Sequence, residues 1–273
     1  MRMIRSELLK IRTTNAWWWL GIGALAAIAV AFAFNAWSAD LVLTGKAAEF
    51  TSPENLAVQQ DVVYQATTIY TSGQYFGLMF VMLIGILMMT NEFFHQTATT
   101  TFLTTPRRTS VIFGKLATAC LVGFGFWLIT TVIDIAAGMV FFSVEGYGSQ
   151  LDQWEVQRAL LLNLLAYAAW TVLGVGIGTL ITNQLAAVLI ASVAYLIGTQ
   201  VVGLAFYLLS ELFDNPAIME WQVILPSIAS QVMISGADIP GLPSWWVGAL
   251  VLFGYALITG VAGTLIVRRR DIA

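Results

Sequence analysis

The chain is poor in the residue types that metal and nucleophile chemistry need. Its 273 residues include one histidine, His95, and one cysteine, Cys120. A structural or catalytic zinc takes three or four ligands from His, Cys and carboxylates. One of each cannot supply such a set, and no HExxH pair is present. A single cysteine also excludes an intrachain disulfide, and Cys120, inside an apolar run, reads as a small buried hydrophobe. Phosphate-binding loops are missing too. Gly114-Lys115 fails the G-x-x-x-x-G-K-[ST] pattern, because Thr109 stands at the first glycine and Leu116 at the magnesium-binding hydroxyl. Gly174, Gly176 and Gly178 lie in an apolar stretch with no strand before it, so they read as helix-packing residues. If ATP drives this protein, another chain binds it.

Charge is equally scarce. Charged residues make up 10% and hydrophobic ones 59%, against about 25% and roughly 45–50% in soluble domains. A surface built from so few charges is covered by lipid or by partner helices, which points to a single polytopic helical membrane domain.

A crossing helix needs about 20 predominantly apolar residues. Five stretches of at least 18 residues lack Asp, Glu, Lys and Arg: 13–39, 62–91, 116–133, 159–210 and 239–267. The fourth is too long for one helix, and Thr182-Asn183-Gln184 near its middle offers a polar turn. The expectation is an all-α membrane protein with six spans near 17–37, 72–90, 111–142, 160–182, 185–209 and 245–267.

Six crossings return both termini to one side. Arg2, Arg5, Lys10 and Arg12 precede the first span, Arg107, Arg108 and Lys115 lie between the second and third, and Arg268, Arg269 and Arg270 follow the sixth. Only Lys46 and Arg158 fall elsewhere. Eleven of the 15 acidic residues fall instead in the alternate loops. The positive-inside rule therefore puts both termini in the cytoplasm. The acidic balance resides in the outer loops and indicates no nucleic-acid partner. The same topology sets His95 and Ser149 on opposite sides, which excludes a membrane-protease serine and histidine pair.

Residues 1–14 read as a basic amphipathic helix at the inner surface, with Ile4, Leu8 and Ile11 at helical spacing. A cleaved signal peptide fits poorly, because the apolar run exceeds the roughly 7–15 residues of a signal core. Trp17-Trp18-Trp19 suits an interfacial aromatic belt. Residues 211–244, broken by Pro216 and Pro226, suit either short re-entrant helices or an interfacial loop.

Two groups of polar residues stand out. Residues 91–110 form a loop, extending to Lys115, that is the one sizeable inward-facing surface between the termini. Inside the spans, Thr130, Thr131 and Asp134 share a helix face and are candidates for a translocation path, with Asn163, Thr199 and Gln200 as weaker ones. Asp134 also suits the outer interface, since 116–133 alone covers about 27 Å at ~1.5 Å per residue.

The 91–115 segment resembles the loop between spans two and three of the type-2 ABC exporter permeases (ABC-2 family). An acidic residue ends the second helix, Thr97 and Phe102-Leu103 follow, and Pro106, Arg108 and Gly114-Lys115 lead into the third helix. Gln96 stands where the family has glycine. The basic amphipathic amino terminus, the proline-broken segment before the last span and the basic carboxyl terminus are also similar to that family. The resemblance implies that residues 93–105 form a coupling helix docking on a separate ATPase subunit, with Glu92, Thr97, Phe102, Leu103, Pro106 and Arg108 as coupling residues. It implies no cofactor on this chain, with ATP and magnesium on the partner ATPase. It also implies pairing with a second permease, as homodimer or sister subunit, in a bacterial cell membrane among lipids, and outward movement of an amphipathic, drug-like or lipidic small molecule. Two other readings stay open: a non-transporting sensor or scaffold whose outer loops bind a ligand, and a proton-coupled secondary transporter in which Asp134 carries the proton.

Overall fold

The computed structural model describes residues 2–13, 16–46, 53–96, 108–235 and 242–269. Among the described residues every regular element is helical and no strand occurs. In chain order the elements are α1 (Arg2–Thr13), α2 (Ala16–Leu43), α3 (Pro53–Gln59), α4 (Val62–Tyr70), α5 (Gln74–Phe94), α6 (Arg108–Val144), α7 (Trp154–Leu180) and α8 (Gln184–Val193). A π turn (Ala194–Gly198) carries α8 into α9 (Thr199–Leu212). A 3-10 helix (Pro216–Ile224), α10 (Pro226–Ile234) and α11 (Trp245–Arg269) complete the order.

Six stretches are long and apolar enough to cross a membrane: Trp18–Leu43, Val62–Phe94, Val111–Val144, Trp154–Leu180, Gln184–Leu212 and Trp245–Ile266. This is the all-α, six-span class expected from the apolar runs. Most of these helices extend beyond the charge-free windows. The fourth begins six residues before the expected 160, taking in Glu155 and Arg158, and the third runs to Val144, past the expected 142. A charge-free run measures the hydrocarbon thickness, whereas the backbone ladder continues into the interface, where side chains regain water.

The second crossing departs most from expectation. It starts at Val62 and is broken at Thr71–Gly73, so α4 and α5 are separate segments. Hydroxyls next to the break satisfy carbonyls it frees: Thr71 Oγ1 donates to Thr67 O (2.6 Å) and Ser72 Oγ to Ile69 O (2.8 Å).

The inner pair is α5 and α7. Most of the second crossing is buried and little of the first. The outer helices turn Val30, Leu250, Leu257 and Ile258 outward, faces suited to lipid. Glycine lets the inner backbones touch. A Cβ at Gly174 would lie 2.2 Å from Met82 O and one at Gly178 2.8 Å from Ile86 O, while Gly176 packs on Thr259 of α11. Gly73 and Gly77, whose small-residue face also suits packing between subunits, are used inside this chain. Gly73 lies against Ile28 of α2 and Asp134 of α6, and Gly77 lies under the Tyr167 hydroxyl of α7. The reason is positional: α5 is the central helix, so its small face meets its own neighbours.

Before the last crossing, the 3-10 helix and α10 meet at a bend of 102°. Buried α10 accepts a hydrogen bond from Trp170 Nε1 at Ser230 Oγ (2.7 Å), and its Ser227 Oγ pairs with Thr199 Oγ1 (2.8 Å). The segment is thus a bent helix pair docked on α7 and α9, not an open loop.

Candidate functional site

Four charged side chains from three helices meet where α1 crosses the base of the 91–115 segment. Glu7 and Lys10 come from α1, Glu92 from the last turn of α5, and Lys115 from the second turn of α6. Lys10 Nζ lies 2.7 Å from Glu7 Oε1 and 2.8 Å from Glu92 Oε1. Lys115 Nζ lies 2.8 Å from Glu7 Oε2 and 3.0 Å from Glu92 Oε1, and donates to Met88 O at 3.1 Å. Lys115 thereby makes two hydrogen bonds and a close ion pair with Glu92, at 1% exposure. Two acids and two bases cancel, which is what allows Glu7, Glu92 and Lys115 to be buried together. Lys10 is the member that reaches water, its side chain 47% exposed.

The face of α1 turned to the bundle carries Ile4, Glu7 and Ile11, while Leu8 and Leu9 stay exposed. Ile4 and Ile11 share the inward face that their spacing predicts, and the buried acid Glu7 joins them there. The attraction of Lys115 for Glu7 rotates an acid inward.

Burial disfavours the Glu7 carboxylate, but Lys115 beside it and hydrogen bonds from Lys10 and Lys115 outweigh that and hold its pKa below the ordinary 4.5. Burial likewise disfavours charged Lys10, and its bonds to Glu7 and Glu92 outweigh it, raising its pKa above 10.5. A depressed carboxylate stabilises docking fully above its unfolded pKa and loses the effect as pH falls through the folded value. A raised ammonium does so below its unfolded pKa and loses the effect as pH rises through the folded value. Docking of α1 is therefore expected to be constant between pH 4.5 and 10.5 and to weaken beyond either limit. Spin labels at the exposed positions Leu9 and Phe113, in a Cys120→Ser background, measure this as a distance. Release of α1 inside that window contradicts the assignment.

Of the coupling residues expected from the sequence, Glu92 is in this cluster, and its partners are Lys115 across the segment and Lys10 of α1. Helix α5 continues through Phe94 and ends at His95, with Gln96 at a left-handed φ of 54°. Residues 93 and 94 therefore belong to the second crossing, not to a separate coupling helix. Thr97, Phe102, Leu103 and Pro106 lie outside the described residues, and Arg108 opens α6.

A second polar group surrounds the α4–α5 break. The Gly73 N–H donates to Asp134 Oδ2 at 2.9 Å, so a side chain of α6 caps the amino end of α5. Tyr167 of α7 places its hydroxyl 3.2 Å from Thr130 Oγ1 and 3.5 Å from Gly73 O. Asp134 is 2% exposed, and Thr130, Thr131 and Asn163 are buried with it. Asp134 thus lies inside the helix bundle and not at an exposed outer interface. Thr199 sits apart from it, against α10, and Gln200 is exposed.

The sequence reading missed Glu7, Lys10 and Lys115 as a set, Gly73 as the partner of Asp134, and Tyr167 as the residue that bonds Thr130 and Gly73 beside it. A usable signal existed for the first. Four acids fall outside the outer loops: Glu7, Glu92, Asp134 and Asp271. Two of these exceptions are the acids that meet at the base of the segment.

Compared with families of known proteins, residues 3–200 match the family described as ABC-2 family transporter protein, a stretch that runs from α1 to the start of α9 and includes both polar groups. A comparison with curated proteins yields no match.

Proposed function

This chain belongs to the ABC-2 family of transporter proteins and is a membrane permease of an ABC transporter, and from that premise we propose that it is the permease of an exporter whose ATP is hydrolysed on a separate subunit. The observation that carries the reading is the four-residue ion cluster. It ties together α1, the end of the second crossing and the start of the third, the helices that bracket residues 97–107. A push on that segment is thereby delivered to crossings two and three directly, and to crossing one through α1. Glu92 is buried, so its role is to position the segment, while Thr97, Phe102, Leu103, Pro106 and Arg108 make the contact with the ATPase.

In this reading the basic end of the bundle is cytoplasmic, two permeases complete the path, and the cell membrane is bacterial. An amphipathic, drug-like or lipidic substrate moves outward past Thr130, Thr131, Asp134 and Asn163, with Thr199 and Gln200 at its margin. Deletion of residues 97–104 is expected to abolish co-purification with the ATPase subunit. Glu92→Gln is expected to preserve that association and lower substrate-stimulated ATP turnover severalfold. Association and transport that both survive the deletion would falsify the coupling role.

A further inference from the structure

Three buried oxygen atoms near the α4–α5 break have no hydrogen-bond partner among the described residues: Thr131 Oγ1, Asp134 Oδ1 and Asn163 Oδ1. Thr131 and Asp134 are one turn apart on α6. Asn163 lies one turn from Tyr167 on α7, which packs antiparallel to α6 through Gly123 against Thr171 and Thr130 against Tyr167. That pairing carries Asp134 and Asn163 toward the same level. The other carboxylate oxygen, Oδ2, is engaged by Gly73 N–H.

The groups facing Asp134 leave its charge uncompensated. From α6 come the hydroxyls of Thr130 and Thr131, from α7 Tyr167 and Asn163, and from the break the Gly73 backbone, with Ile28 of α2 against that glycine. Arg158, farther along α7, is turned to Ser235 O and the Trp245 ring. None of the salt bridges among the described residues involves Asp134. A carboxylate and a carboxamide oxygen both accept, and a buried pair of acceptors is satisfied only by a donor between them. One proton on Oδ1 converts Asp134 into that donor. It leaves Oδ2 free to hold Gly73, and it needs no cavity.

We propose that Asp134 is a proton-binding site that controls the joint between α4 and α5. With the proton bound, the Oδ1–H bond donates to Asn163 Oδ1 while Oδ2 accepts from Gly73, and the joint is clamped from two sides. When the O–H bond breaks, the proton passes to water reaching the joint, the donor bond is lost, and the joint is held by Gly73 alone. The proposal concerns the far side of α5 from the coupling cluster and does not rest on how ATP energy enters.

Infrared spectroscopy of the full-length permease in nanodiscs, with isotope-labelled aspartate, tests it. The expected result is a carboxylic-acid carbonyl band that persists above the range in which exposed aspartates titrate and gives way to carboxylate bands at higher pH. It is expected to vanish in Asp134→Asn and to shift in Asn163→Ala. Absence of such a band from the unmodified protein at every pH overturns the proposal, and this arm needs no variant to fold. Spin labels on α4 and α5 supply the second arm. Their separation is expected to change with the same midpoint as the band, and in Asp134→Asn, which keeps an acceptor for Gly73 and cannot ionise, to stay at its low-pH value. A band that titrates while the labels stay still overturns control of the joint.

Discussion

Replacing Lys115 by methionine is expected to cost the folded permease about 3–5 kcal/mol, because the change removes one partner of a buried ion cluster and leaves the others in place. Methionine fills nearly the same volume, so packing is preserved and the loss is electrostatic. Glu7 and Glu92, both buried, then share only Lys10, and Met88 O loses its donor. Unfolding by denaturant in detergent micelles measures the loss. A control separates charge from shape: adding Glu7→Gln and Glu92→Gln to Lys115→Met removes the orphaned carboxylates and is expected to recover part of the stability. No recovery in the triple variant would mean that Lys115 acts through packing. Lys10→Met is expected to have a much smaller effect, since Lys10 is half in water and screened.

Gly174→Ala is the second large effect. The added Cβ would sit 2.2 Å from Met82 O and 2.9 Å from Met82 C, and both are backbone atoms that no rotamer change can move away. α5 and α7 have to separate, and because they are the inner pair the disturbance reaches the centre of the bundle. Overpacking of this kind costs about 1–3 kcal/mol and occasionally more; with a backbone carbonyl as the obstacle, the upper end is expected. Gly254→Ala provides the contrast, because nothing lies within 4 Å of the new atom. It is expected to leave stability unchanged or to raise it by up to about 1 kcal/mol through helix propensity. Thermal stability of both variants in one detergent settles the comparison; equal effects refute the close approach of α5 and α7.

These two positions differ in how visible they were beforehand. Gly174 and Gly178, four residues apart, share one helix face and Gly176 lies on the opposite one; that these glycines serve helix packing was legible in the sequence. Which helix each glycine meets was not. Gly174 meets α5 and Gly176 meets α11, partners far away in the chain. Lys115 was legible only as a basic residue near the start of a crossing, where it reads as a topology anchor. Its partner Glu7 lies 108 residues away, and nothing in the local pattern links them.

Sequence alone determined the class of this protein, because so little charge leaves a chain no surface to show water. It determined the six crossings, because hydrocarbon thickness converts directly into a count of apolar residues, and it located the 91–115 segment between two of them. Tertiary structure decided the rest. It alone showed Glu92 buried between Lys10 and Lys115, and it alone drew Asp134 into the bundle to cap a break in the second crossing. The physical reason is the same in both cases. Solvation by lipid acts residue by residue along the chain, so composition records it. The pairing of buried polar groups depends on which helices become neighbours, and that is fixed only when the whole bundle packs.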